Sequence, residues 1–200
     1  MITEDTYAVM KEKYGKFGSW AVWERAGGTP SSNTGSMDWV NEAGLLRILK
    51  AKFVFVGLNV SNTRGNQKGG FKEDWKNFHS DYSRQKDFKL RFALQDTPYW
   101  GSYLTDVIKE HVEGNSREVM KHLREHPEKA KRNIRRFEEE LSFLGKHPVL
   151  VAMGDNAYDI LRKYLGKDGK YPIIKIPHYA ARNMGKEKYR EKVLKALKGQ

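Results

Sequence analysis

Four short apolar runs interrupt an otherwise polar chain: FVFVGL (Phe53 to Leu58), YLTDVI (Tyr103 to Ile108), VLVAM (Val149 to Met153) and PIIKI (Pro172 to Ile176). The first and third are nearly continuous and rich in β-branched residues, as strands covered on both faces are. Helical spacing fills the intervals. Ala130, Ile134, Phe137, Leu141 and Leu144 recur at steps of 4, 3, 4 and 3, which puts them on one face. Pro127 suits the first turn of that helix and Gly145 its end. Ala157, Ile160, Leu161, Tyr164 and Leu165 repeat the pattern, with Asp155 expected as N-cap and Gly166 as the stop. Tyr189, Val193, Leu194 and Leu197 predict a last helix. Leu45 to Leu49 predict a helix leading into the first strand, and Arg84 to Leu94 another. Strands alternating with helices predict an α/β fold with a mostly parallel sheet and helices on both faces. Two stretches lack periodicity: Gly15 to Asp38, which holds Trp20 and Trp23, and Val60 to Thr97, which opens with SNTRGNQKGG. The two Trp are expected to cover the sheet edge. The polar loop straight off the first strand reads as a connector or a substrate-binding loop.

Composition narrows the function classes. The chain has 200 residues with 37 Lys plus Arg against 25 Asp plus Glu, a net charge of +12. That excess points to a polyanionic partner, nucleic acid being the commonest; simple solubilisation is the alternative. Ten Tyr, nine Phe and five Trp are too many for a disordered chain. Zero cysteines exclude disulfides, thiolate metal sites and cysteine nucleophiles. No apolar run approaches the roughly 20 residues of a membrane span, and MITEDTYAVM does not read as a signal peptide. One domain over residues 1–200 is expected, with 1–50 as a helical and irregular extension packed on it. It is expected to be cytoplasmic and monomeric, without membrane contact, metal or cofactor.

In parallel sheets function gathers at the carboxyl ends of the strands. Asn59 ends the first strand in VGLNVSN, where an Asn amide can orient a water or donate to an oxyanion; a turn-forming Asn is the structural alternative. His178 follows the fourth strand in KIPHYAARN, where a neutral imidazole can donate to developing negative charge or act as acid or base. A turn His bonded to backbone is its structural alternative. Arg182 and Asn183 are expected at the start of the last helix. Two polar groups at the tips of two parallel strands would converge on one cleft.

These segments carry a family resemblance. VGLNVSN resembles the first active-site motif of the uracil-DNA glycosylase superfamily, and PHYAARN the second. YLTDVIK resembles the second-strand motif of one branch, and GDNAYDIL the Gly-plus-helix segment after the third strand. The ordered set runs from about Val54 to the C-terminus. The resemblance implies a three-layer α/β/α fold with a four-stranded parallel sheet in the order 2-1-3-4. It implies hydrolysis of the N-glycosidic bond of a damaged or mispaired base in single- or double-stranded DNA, without a metal. Asn59 maps onto the residue that positions water, and His178 onto the donor to the leaving base. Phe71 maps onto the aromatic that stacks on the extruded base, with Leu58 and Ser61 beside the substrate. Arg64, Lys68, Arg182 and Asn183 would grip the DNA backbone, and Tyr179 or Met184 would wedge into the duplex. The chain departs from the family pattern at Val60 and Ser61, at Tyr179 and Ala180, and at Asp106. Asp106 stands where several branches carry a base-reading Asn. A carboxylate only accepts, so it would repel a carbonyl and favour an exocyclic amine.

Other patterns carry less. His122 and His126 are four apart but lack a third metal ligand in the sequence nearby. EKAKRNIRR reads as a solvated helix face. Gly69 and Gly70 beside Lys68 lack P-loop spacing. Trp75, Phe88, Phe92 and Trp100 are expected in the core. Two rival readings remain at this point: a catalytically silent nucleic-acid-binding protein of the same fold, and a flavodoxin-like binder of a nucleotide or small molecule.

Overall fold

The computed structural model describes residues 2–24, 36–60, 70–80 and 86–198. The elements in chain order are α1 (Glu4–Tyr14), β1 (Ser19–Trp20), a 3-10 turn (Asp38–Asn41), α2 (Leu45–Ile48) and β2 (Lys50–Asn59). They continue with α3 (Phe88–Leu94), β3 (Ser102–Ile108), α4 (Ser116–Glu125) and α5 (Pro127–Ser142). The chain ends with β4 (Val149–Met153), α6 (Asp155–Leu165), β5 (Ile173–Ile176) and α7 (Lys186–Leu197).

Each apolar run becomes a strand. The sheet has five strands in the order β1-β3-β2-β4-β5. The pairs β2–β3, β2–β4 and β4–β5 are parallel, and β1 joins the edge of β3 antiparallel, Ser19 opposite Leu104 and Trp20 opposite Tyr103. The sheet is therefore five-stranded and mixed, in place of the expected four-stranded, all-parallel one. The added strand is only two residues long and carries no alternation to read; it exists because Trp20 packs against Tyr103 and Trp75, at ring distances of 4.9 and 5.9 Å.

β2 lies between β3 and β4 because it is apolar on both sides. Its side chains alternate: Val54, Val56 and Leu58 join one core with α5 and α6, and Phe53 and Phe55 join a second with α3 and α7. Helices thus flank both faces. Trp20, Trp23 and Trp75 are buried and Trp100 packs against the core, so these aromatics cover the sheet. Among the described residues no helix is long and apolar enough to cross a membrane.

Between β3 and α5 lies a buried ion pair, Lys109 Nζ to Glu140 Oε2 at 2.6 Å. Glu140 Oε1 accepts from the Tyr103 and Thr105 hydroxyls at 2.8 and 2.9 Å, and Lys109 also donates to the Asp106 carbonyl at 2.6 Å. Both charges are compensated, which makes their burial tolerable.

Candidate functional site

The parallel register brings the carboxyl ends of β2, β3, β4 and β5 to one edge. A hollow of about 510 Å³ opens there, and both Asn59 and His178 line it, with Leu58, Asp106, Phe78 and Tyr179. Pairing of Gly57 with Asp106 and of Asn59 with Ile108 sets Asp106 one layer deeper than Asn59.

Asn59 is held by three backbone carbonyls. Its Nδ2 donates to Val60 at 2.9 Å, His111 at 3.1 Å and Glu113 at 2.8 Å. Two N–H groups among three acceptors leave nothing to donate into the hollow, so Asn59 offers Oδ1 alone. The sequence-based possibility that this amide donates to an oxyanion is corrected accordingly; what remains is acceptance, as from a water.

His178 has the complementary character. The Ala180 N–H donates to Nδ1 at 3.1 Å, so the neutral ring carries its proton on Nε2. Burial pushes its pKa down to about 4, which keeps it neutral at physiological pH. Its Cβ sits over Gly154, where a side-chain carbon would stand 3.2 Å away; Gly154 also adopts φ +92°, a conformation glycine takes without strain. Gly154, not Asp155, is the N-cap of α6.

Asp106 lies at the floor, 3% exposed. Burial raises its pKa to about 6, against the hydrogen bond from Asn77 and the charge of Lys109. Asn77 Nδ2 donates to Asp106 Oδ2 at 2.8 Å and to the Phe17 carbonyl at 2.6 Å, while its Oδ1 accepts from Phe78 N–H at 3.0 Å. Among the described residues, Asn59 Oδ1, Asp106 Oδ1 and His178 Nε2 have no protein partner. These three side chains together present two acceptors and one donor to the hollow, which Ser116, Asp155 and Asn156 also line.

Its aromatic wall is Phe78 and Tyr179, edge to face at 6.2 Å, with Tyr179 stacked on His178 at 4.3 Å. Phe78 adopts φ +64°, a strained conformation for a bulky residue and one that recurs at functional sites. Phe71, expected as the stacking aromatic, is not in this wall. Its N–H donates to the Lys16 carbonyl at 2.8 Å, tying it to the N-terminal segment. Tyr179 is part of the wall and does not fill the hollow. Met184, the other expected wedge, packs half-buried against the second core, and its carbonyl accepts from the buried Lys89 at 2.6 Å. Arg182 and Asn183 are exposed and precede α7, so they do not open that helix. Ser61, Arg64 and Lys68 lie outside the described residues.

Two residues were missed from sequence. Asn77 and Phe78 follow a polar loop with no motif around them; the only signal was an aromatic beside an amide in KNFHS. Among the described residues no three His, Asp or Glu side chains converge as a metal site. Compared with protein-family models and with curated proteins, the chain matches none.

Proposed function

We propose that this protein hydrolyses the N-glycosidic bond of a damaged or mispaired base in DNA. The observation that carries the reading is the convergence of a neutral imidazole donor and an amide acceptor on one hollow with an aromatic wall. A base leaves the duplex to reach such a pocket, and Phe78 and Tyr179 give its faces an apolar surface. As the C1′–N bond breaks, its electron pair moves onto the base, and His178 Nε2–H donates to the base atom where that charge builds. Asn59 Oδ1 accepts from the attacking water and holds its oxygen toward C1′. The water oxygen bonds to C1′, and its proton is released to solvent or to the departing base. A donor placed in this way is worth roughly 10²–10³ in rate.

Asp106 narrows the choice of base. As a carboxylate it accepts from an exocyclic amine and repels a carbonyl. The preferred base then carries an amine toward Asp106 and an oxygen or ring nitrogen toward His178. The net charge of +12 suits a phosphate backbone.

The test is a panel of oligonucleotides carrying uracil, cytosine, adenine or hypoxanthine, scored for abasic sites after alkali. Wild type is expected to release an amine-bearing base. Asn59→Ala and His178→Ala are each expected to lose about 10²-fold or more, and Asp106→Asn to shift preference toward uracil. Equal uracil release by wild type and Asp106→Asn would discard the specificity argument.

A second reading, a nucleic-acid-binding protein without catalysis, is favoured by one observation: the Asn59 N–H groups are wholly committed to carbonyls. Retained strand binding with no abasic sites for any base in the panel selects it.

A further inference from the structure

The loop that holds Asn59 contributes one ring to a cluster of imidazoles that the proposed chemistry does not use. His111, whose carbonyl accepts from Asn59, stacks face to face on His122 of α4, with ring centroids 4.2 Å apart and planes 8° apart. His126, at the α4–α5 corner, lies 4.6 Å from His122. Lys129 of α5 donates from Nζ to His122 Nε2 at 3.2 Å. All three rings are partly solvent-accessible. The loop after His111 supplies Glu113 and Gly114 to the hollow, and Ser116 at the start of α4 lines it too; with the His111 carbonyl on Asn59, this sets the cluster beside its rim.

Rings stacked in this way do not converge on a point where a metal could sit. An anion meets them differently. Lys129 is a fixed positive charge, and each imidazole can add another. Protonated together without a counter-ion they repel: burial, then His111, Lys129 and His126, hold the His122 pKa below the ordinary imidazole range. The surrounding carboxylates offset this only in part. Glu125 favours the charged form of His122, Glu128 lies 3.7 Å from His126, and Glu110 is engaged by Arg132 at 2.6 Å. Glu113 accepts from the Asn115 N–H. A phosphodiester placed over the cluster would relieve the repulsion and draw protons onto the rings.

We propose that His111, His122, His126 and Lys129 form a phosphodiester-binding subsite on the rim of the hollow, which takes up protons as it takes up the strand. The subsite rests on the reading of the hollow as the place of one nucleotide of a strand. It grips the phosphate next to that nucleotide, and through the His111 carbonyl it steadies the amide of Asn59.

The experiment measures binding of a fluorescent, lesion-free single-stranded oligonucleotide between pH 8 and 5.5 at constant ionic strength. Wild type, His122→Gln/His126→Gln and Lys129→Ala are compared, with circular dichroism to verify folding. Wild-type affinity is expected to rise about tenfold as the pH falls. The double variant is expected to lose most of that rise, and Lys129→Ala to bind about three- to tenfold more weakly at every pH. In the same samples, the His122 ring resonance is expected to titrate at higher pH once the strand is bound. A double variant that keeps the full pH dependence overturns the subsite, as does a His122 titration unmoved by the strand. Inorganic phosphate is a second arm: if it shifts the His122 titration and the strand does not, the proposal of a strand site falls. Proton-linked binding without abasic sites keeps the subsite and removes the hydrolysis; abasic sites with no variant-sensitive pH dependence do the reverse.

Discussion

Gly57 runs directly beneath the carboxyl group of Asp106: a Cβ built on Gly57 would stand 2.2 Å from Asp106 Oδ1. The two residues are register partners on β2 and β3. The glycine is required by the approach of its neighbour, and the floor of the hollow depends on it. Gly57→Ala is expected to push the carboxyl group aside and to destabilise the fold by about 1–3 kcal/mol, as overpacking does. Urea unfolding measures the second effect, the destabilisation. The first is visible as loss of base discrimination beyond what the stability change explains, and unaltered stability and discrimination would refute the packing argument.

The raised pKa of Asp106 has a definite sign in stability. Its folded value is about 6 against 3.8 for the free group, so between those limits the native state binds more protons than the unfolded one. Stability from this group is present below pH 4 and is lost as the pH rises through 6. Asp106→Asn removes that loss and can still accept from Asn77. The variant is expected to exceed wild type at pH 7.5 by on the order of 2–3 kcal/mol, and the gap is expected to close toward pH 4. Denaturant titrations of both proteins across this range read the difference directly.

Phe78 and Phe71 separate two assignments of the base-stacking aromatic. Phe78 stands in the wall of the hollow and Phe71 does not. Loss of a base-stacking ring is worth roughly 1–3 kcal/mol, or about five- to 150-fold in binding. Phe78→Ala is expected to lower kcat/KM in that range, while Phe71→Ala stays within about threefold of wild type. The reverse ranking would return the role to Phe71.

The Lys109–Glu140 pair predicts a strong asymmetry. Lys109→Met leaves a buried carboxylate without its counter-charge and is expected to destabilise by about 3–5 kcal/mol. Combining it with Glu140→Leu removes the uncompensated charge and is expected to recover a large part of the loss, although the Tyr103 and Thr105 hydroxyls then lack their acceptor. Additive losses in the double variant would show that the pair is not coupled in this way.

How much of this was legible in the sequence depended on the range of the interactions involved. The strands at 53–58 and 149–153 were readable because a buried central strand is apolar on both faces, that at 103–108 because apolar residues flank its two polar ones, and α5 because Ala130, Ile134, Phe137 and Leu141 recur at steps of 4, 3 and 4. Asn59 and His178 were found because both stand at strand exits. The partners of their polar atoms were invisible, since carbonyls at Val60, His111 and Glu113 carry no side-chain signature. β1 escaped because two residues hold no pattern and their pairing is decided by tertiary packing of Trp20. Phe78 escaped because a left-handed backbone places its ring, and nothing in the local sequence announces that conformation. His111 was overlooked because only the His122–His126 interval shows along a helix; the third ring arrives from another loop.

The two-residue strand β1 also decides what happens at the margins of the sheet. Ser19 and Trp20 occupy the outer side of β3, and the chain beside them closes further, with Ala21 N–H on the Ser102 carbonyl at 2.7 Å. The opposite margin, β5, is four residues long, bracketed by Pro172 and Pro177, with the exposed Lys175 inside it. Among the described residues, a short β5 with its flanking prolines and a β3 edge occupied at Ser102, Tyr103 and Leu104 are devices that discourage pairing with a neighbouring chain. Cutting away residues 2–24 would leave the outer edge of β3 unpaired at Ser102, Tyr103 and Leu104, so the amino-terminal segment closes that end of the sheet margin.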